Sequence, residues 1–177
     1  MKLRSTRTVS AGFALITSLL FLIIIGLIGV MMMKNYGLQG KMTGNFREKG
    51  RSFESAQSAL QYAEWWLKQG NATTGTSCSA VVSSAVVCSN ALSNPTSLPW
   101  SAGVNYTPSG MNIASSGISS FVQSPQFYIQ YIGTNTTTSQ AVYLITAVGY
   151  GGNAQAVTVL QSSYGIGGAQ GGNNLGK

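Results

Sequence analysis

Three patterns of apolar and polar positions follow one another along the chain. From Thr8 to Met33 no side chain is charged, and AGFALITSLLFLIIIGLIGVMMM, residues 11 to 33, is apolar on every side. That makes about 26 uncharged residues where roughly 20 suffice to span a bilayer as a helix. A helix apolar all round belongs in a membrane or among similar helices. Next, Phe46, Gly50, Phe53, Ala56, Leu60, Ala63 and Leu67 recur at steps of three and four, the mark of one helix face. Arg47, Lys49, Arg51, Glu54 and Lys68 fall largely elsewhere. No proline occurs between residues 13 and 69, so one long helix is predicted, its second half amphipathic, ended by the glycine stop signal at Gly70-Asn71. The face carrying Phe46, Phe53, Ala56, Leu60, Ala63 and Leu67 is expected to pack on a sheet. Gly37, Gly40 and Gly44 lie between the two halves, and each glycine weakens a helix by roughly 1 kcal/mol relative to alanine. Residues 35–45 are therefore expected to be its soft segment.

The third pattern is β. Residues 118–123, 126–132, 140–148 and 154–162 are β-branched and aromatic runs bounded by turn residues, which predicts about four antiparallel strands. Between helix and strands, residues 70–110 are rich in Ser, Thr, Asn, Gly and Pro and read as a polar loop. The run Gly149-Tyr150-Gly151-Gly152 lacks the spacing of a phosphate loop and precedes a strand rather than a helix, so no phosphate site is expected there. Residues 165–177 are Gly-rich and read as a loose tail.

Charge changes the picture by where it is missing. The formal net charge of the 177 residues is +7, yet no charged side chain occurs from Gln69 to Gly176, and the chain has neither His nor Asp. General acid–base catalysis needs such groups placed in a pocket, and metal sites need imidazole, thiolate or carboxylate ligands. No catalytic residue, metal ligand or cofactor is therefore expected. An uncharged domain also makes a poor electrostatic ligand for DNA, since phosphate binding rests on Lys and Arg. Cys78 and Cys88 are the two cysteines. Their spacing is wrong for a C-x-x-C metal or redox motif, and an even pair in an exported chain reads as a structural disulfide.

The N-terminus supports export in an unusual form. Lys2, Arg4 and Arg7 precede the apolar run, as in a secretory signal. However, the apolar run exceeds a signal's core in length, and the small pair Ala11-Gly12 precedes it. Cleavage after Gly12 would leave the hydrophobic helix on the product, beginning at Phe13. It would remove three basic side chains, leaving seven basic and three acidic ones, +4 in all. Lys34 and Lys41 flank the other end, so basic residues alone do not settle orientation. The disulfide does, because it needs an oxidising compartment beyond residue 34.

A short basic leader ending in Gly, a cut before Phe and a retained apolar helix resemble the class III signal of type IV pilins and type II secretion pseudopilins. GFALITSLLFLIIIGLIGV followed by LQGKMTGNFREKGRSFESAQSALQYAEWWL resembles the N-terminal region of PilX-type minor pilins, and YLITAVGYGGNAQAVTVLQSSYG resembles that family's last two strands. The likeness covers about the first 70 residues and the last 50. It implies an α+β type IV pilin fold: a leader at 1–12, a transmembrane half-helix at 13–34, an amphipathic half at 35–69, an αβ-loop with the disulfide at 70–110, a sheet at 111–164 and a tail at 165–177. It also implies cleavage and N-methylation at Gly12 and Phe13 by a prepilin peptidase, and storage in the inner membrane with the C-terminal domain periplasmic. The implied partners are the assembly platform, then other minor pilins and the major pilin through the helix.

One position departs from the pilin pattern. Most pilins carry Glu at the fifth mature position, where it can neutralise the N-terminal amine of the preceding subunit. Here that position is Thr17. A buried unpaired charge is expensive, so Thr17 suits a subunit with no neighbour ahead of it, at the filament tip in a priming complex that can carry an adhesin. The plainer reading is that Thr17 hydrogen-bonds within its own helix. Two rival functions stay open: a surface-exposed minor pilin acting in adhesion or aggregation, and a type II secretion pseudopilin. The latter is disfavoured by the absence of a carboxylate-rich calcium loop near the C-terminus. Loss of twitching on deletion would separate pilus from secretion roles.

Overall fold

The computed structural model describes residues 11–114 and 120–167. The leader expected at 1–12 therefore lies outside these residues except for Ala11 and Gly12, and most of the Gly-rich tail lies outside them too. The chain divides into two units, Met1–Gly44 and Asn45–Lys177.

In the first unit the described residues belong to helix α1, Ala11–Trp66. The helix runs unbroken through Gly37, Gly40 and Gly44, so the glycines of the expected soft segment are helical. Its apolar side chains are exposed from Phe13 through Met33, with an 18-residue window of mean hydropathy 2.8. By length and composition this helix can cross a membrane.

In the second unit α1 ends in a π-helical turn, Leu67–Asn71. Gly70 takes a left-handed φ of 88°, which glycine adopts without a Cβ penalty, and the Asn71 amide closes the end on the Trp66 carbonyl at 2.9 Å. Among the described residues six strands follow: β1 Val81–Val82, β2 Val87–Cys88, β3 Gly103–Asn105, β4 Gln126–Asn135, β5 Gln140–Tyr150 and β6 Val157–Ile166. The order is β1-β3-β4-β5-β6, with β2 also paired to β4. The long strands form an antiparallel meander, β4–β5–β6. The short pairs β1–β3 and β2–β4 are parallel, so the sheet is mixed rather than wholly antiparallel, and the 70–110 segment supplies three strands rather than loop alone.

The fold class is α+β, a helix packed on a sheet, as the sequence predicts, but the strand boundaries need correction. The run at 118–123 forms no strand in its described part. Phe121 makes only an isolated bridge with Ile113, because the ladder positions beside β4 are already taken by β3 and β2. The run at 154–162 starts late, at Val157. The Asn153 side chain accepts from the Gln155 and Ala156 amides at 3.1 and 2.8 Å, holding the chain in a turn up to that point. β6 then continues to Ile166, taking Gly165 and Ile166 out of the expected tail.

The core explains the burial of β4 and β5 on both faces. Phe127, Ile129, Tyr143, Ile145 and Ala147 face α1 and pack with Ala59, Ala63 and Leu67. Tyr128, Val148 and Tyr150 face the other way, onto Cys88, Trp100 and Ala102.

The helix face that meets the sheet matches the expected one at Ala56, Leu60, Ala63 and Leu67 and departs from it at Phe46 and Phe53. Ser52, Ser55, Ala56, Ala59, Ala63 and Leu67 are buried. Leu60 is half-buried, while Phe53 is 46% and Phe46 69% exposed. Phe46, Phe53, Leu60 and Leu67 step by seven, and an α-helix drifts by about 20° over each such step. A stripe buried at Leu67 has therefore turned out to solvent by Phe46.

Candidate functional site

The expected processing bond, Gly12–Phe13, lies near the start of α1, where both residues are exposed. Four residues on, the Thr17 hydroxyl donates to its own helix, with the Phe13 and Ala14 carbonyls at 3.1 and 3.0 Å. It is a neutral group already engaged, and it carries no charge for a neighbouring amine.

Cys78 and Cys88 form a disulfide with a Cα–Cα distance of 5.4 Å. It is tied into the sheet from several directions. Cys88 pairs with Gln130 in β4 and is 1% exposed. Thr76 donates to the Val87 carbonyl at 3.1 Å and accepts from the Ser89 amide at 2.9 Å. Asn90 is the residue that sequence reasoning missed. Its side chain accepts from the Cys78 amide at 2.7 Å and donates to the Cys78 carbonyl at 3.0 Å, as a strand neighbour would. Its own carbonyl accepts from Tyr128 at 2.9 Å. Burial raises the Tyr128 phenol above its usual range, so it remains a donor. An amide side chain two residues past a cysteine is too common a pattern to signal this role.

A second constellation also escaped the sequence reading, which places Lys49 and Arg51 off the apolar face and gives them no partner. Glu48 accepts from the Gly152 amide and pairs with Arg51 at 3.1 Å. Arg51 also donates to the Ser120 carbonyl and lies over the Phe121 ring, 4.4 Å from its centroid. Lys49 donates to the Val157 carbonyl. Glu48 and Lys49 thus clamp the β5–β6 hairpin through its backbone, and Arg51 ties Glu48 to the segment at Ser120 and Phe121. The Gly152 hydrogen bond, with help from Arg51, holds the Glu48 carboxyl below the usual carboxylate range. The glycines once compared with a phosphate loop serve this contact. A Cβ on Gly151 would lie 2.7 Å from the Glu48 carbonyl oxygen.

Chemically these contacts are internal packing contacts. Among the described residues no group of three or more His, Cys, Asp or Glu comes together. The depression lined by Asn45, Glu48, Lys49, Asn153 and Gln155 has its charged groups already engaged by the hairpin backbone.

Two family models match the chain. The PilX N-terminal model covers residues 11–61, and the model for the C-terminal part of the type IV pilus assembly protein PilX covers residues 59–166. No curated protein and no solved structure matches it. The two matched regions adjoin near residue 60, within α1, so they cover the exposed apolar helix, its sheet-packing half, the disulfide loop and the meander. This chain belongs to the PilX family, the minor pilins of type IV pilus assembly, a family of structural proteins.

Proposed function

We propose that this minor pilin works in the tip-located priming complex that initiates pilus assembly and can display an adhesin. A prepilin peptidase cleaves after Gly12 and the new Phe13 amine is methylated. Until assembly the helix of residues 13–34 is stored in the inner membrane with the domain periplasmic. Extraction moves that helix from lipid into a bundle of similar helices, one apolar setting for another, so the free-energy change per subunit is small. No chemistry by this chain is needed, only shape and helix packing.

The observation that carries the tip reading is Thr17. Its hydroxyl is engaged by the Phe13 and Ala14 carbonyls, and a buried amine ahead of it would stay unpaired at a cost of several kcal/mol, on the order of 3–5. A subunit with nothing ahead of it avoids that cost. Immunogold labelling of this chain on intact pili tests the reading. Label confined to pilus ends is expected, and label spread along the shaft contradicts it. Thr17→Glu is then expected to enter the shaft, because it restores the missing carboxylate.

A further inference from the structure

Among the described residues the last strand of the sheet leaves one edge open, and we propose that this edge is a docking site for an extended segment of another pilus subunit, added to the sheet as a further strand. The inference rests on membership of a pilus-assembly family and not on the tip position. It therefore stands or falls separately from the labelling experiment above.

Among the described residues β6 pairs with β5 alone. The register runs without a shift from Ala141–Ile166 to Tyr150–Val157. In an antiparallel strand alternate residues turn both N–H and C=O to the same side. Two contacts fix which residues turn outward. The Ala156 carbonyl accepts from the Gly151 amide at 2.7 Å, so even-numbered residues face β5. The Val157 carbonyl accepts from Lys49, so odd-numbered residues face the open side. Val159, Gln161, Ser163 and Gly165 thus present their backbone groups outward. Among the described residues none of these groups is hydrogen-bonded by another segment.

Natural edge strands are guarded by charges, prolines, bulges or brevity. This edge has none of these past its first residue. β6 spans ten residues, VTVLQSSYGI, with no charge and no proline. Lys49 occupies only the Val157 end. The opposite border of the sheet is handled differently, with β1 and β2 only two residues each and an irregularity in β4 between Tyr131 and Gly133. One edge is blunted and the other is left long, regular and neutral.

The chemistry selects the occupant. Main-chain hydrogen bonds from Val159 to Gly165 supply affinity for any extended chain, and alternate side chains supply specificity. Gln161 and Ser163 are exposed, so the added strand meets neutral, small or polar neighbours and no charge to oppose. An uncharged β-forming segment of a neighbouring subunit fits, entering past Lys49.

The test has two arms, both with the full-length chain. Backbone amide exchange is compared between the chain alone in detergent and the chain in sheared pili. Slowing of the Val159, Gln161, Ser163 and Gly165 amides by at least about tenfold in pili, and not in the lone chain, is expected. Unchanged exchange would overturn the proposal. Slow exchange in the lone chain would also overturn it, because the chain's own residues would then cover the edge. The second arm uses Ser163→Pro, which removes an outward N–H that β5 does not use and which an edge strand tolerates. Recovery in sheared pili is expected to fall by about tenfold or more with the melting temperature retained. Undiminished recovery would overturn the proposal, and if the variant does not fold, the exchange arm decides.

Discussion

A Cβ placed on Gly149 would lie 2.2 Å from the Ala56 amide nitrogen and 2.3 Å from the Ser52 carbonyl oxygen. The end of β5 therefore rests on the backbone of α1 itself. Ser52, Ser55, Ala56, Ala59 and Ala63 are small because the strand comes this close. Gly149→Ala, which meets backbone on both sides, is expected to destabilise the domain by about 3 kcal/mol or more. Gly165→Ala, whose Cβ would meet only the Gln140 side chain at 3.4 Å, is expected to be neutral or slightly stabilising. Denaturant unfolding of the two variants measures both, and equal effects would refute the close-approach account.

The outward turn of the heptad stripe makes a second comparison. Phe46→Ser and Phe53→Ser should each change stability by less than about 1 kcal/mol, as exposed substitutions do. Ala63→Leu, at a position 0% exposed, should cost about 1–3 kcal/mol by overpacking. Thermal melts that ranked the phenylalanine variants as the more damaging would put the sheet on the wrong face of α1.

The disulfide closes a short loop, with a sequence separation of 10. Its loss in Cys78→Ser/Cys88→Ser is expected to cost about 2–3 kcal/mol. Asn90→Ala in that background should cost about a further 1 kcal/mol, since its two hydrogen bonds to Cys78 hold the same loop. If Asn90→Ala were silent there, the amide would be incidental.

Glu48 gives the clamp a pH dependence with a definite sign. Its carboxyl is held below its ordinary value chiefly by the Gly152 amide, then by Arg51. A depressed folded-state value contributes stability above the unfolded value, near 4.5, and that contribution fades as pH falls through the folded value. The wild-type melting temperature should therefore drop more steeply below about pH 4.5 than that of Glu48→Gln, and the two curves should converge in acid. Parallel curves would mean the carboxylate is not engaged.

Much of this fold was legible because its signals are local. An uncharged run from Thr8 to Met33 allows few alternatives to a helix, and β-branched runs between turn residues mark β5 and most of β4. What misled was long-range. Periodicity counts steps but does not register drift, so Phe46 and Leu67 were assigned one face although about 60° separates them by three such steps. Short strands carry almost no periodic signal, which is why Val81–Val82 and Val87–Cys88 were read as loop. The clamp was hidden because Glu48, Lys49 and Arg51 bind backbone groups, and a backbone acceptor leaves no mark in the sequence. Thr17 was legible as a departure from the pilin pattern, and its hydrogen bonds to Phe13 and Ala14 follow from helix geometry alone.

The central claim is that this chain is processed and incorporated as a pilin. Intact mass and N-terminal sequencing of the protein from membranes and from sheared surface pili test it most directly. The account predicts that the pilus form begins at methylated Phe13 and lacks the pair of thiol hydrogens that Cys78 and Cys88 would carry if reduced. A form beginning at Met1 in both fractions would contradict it.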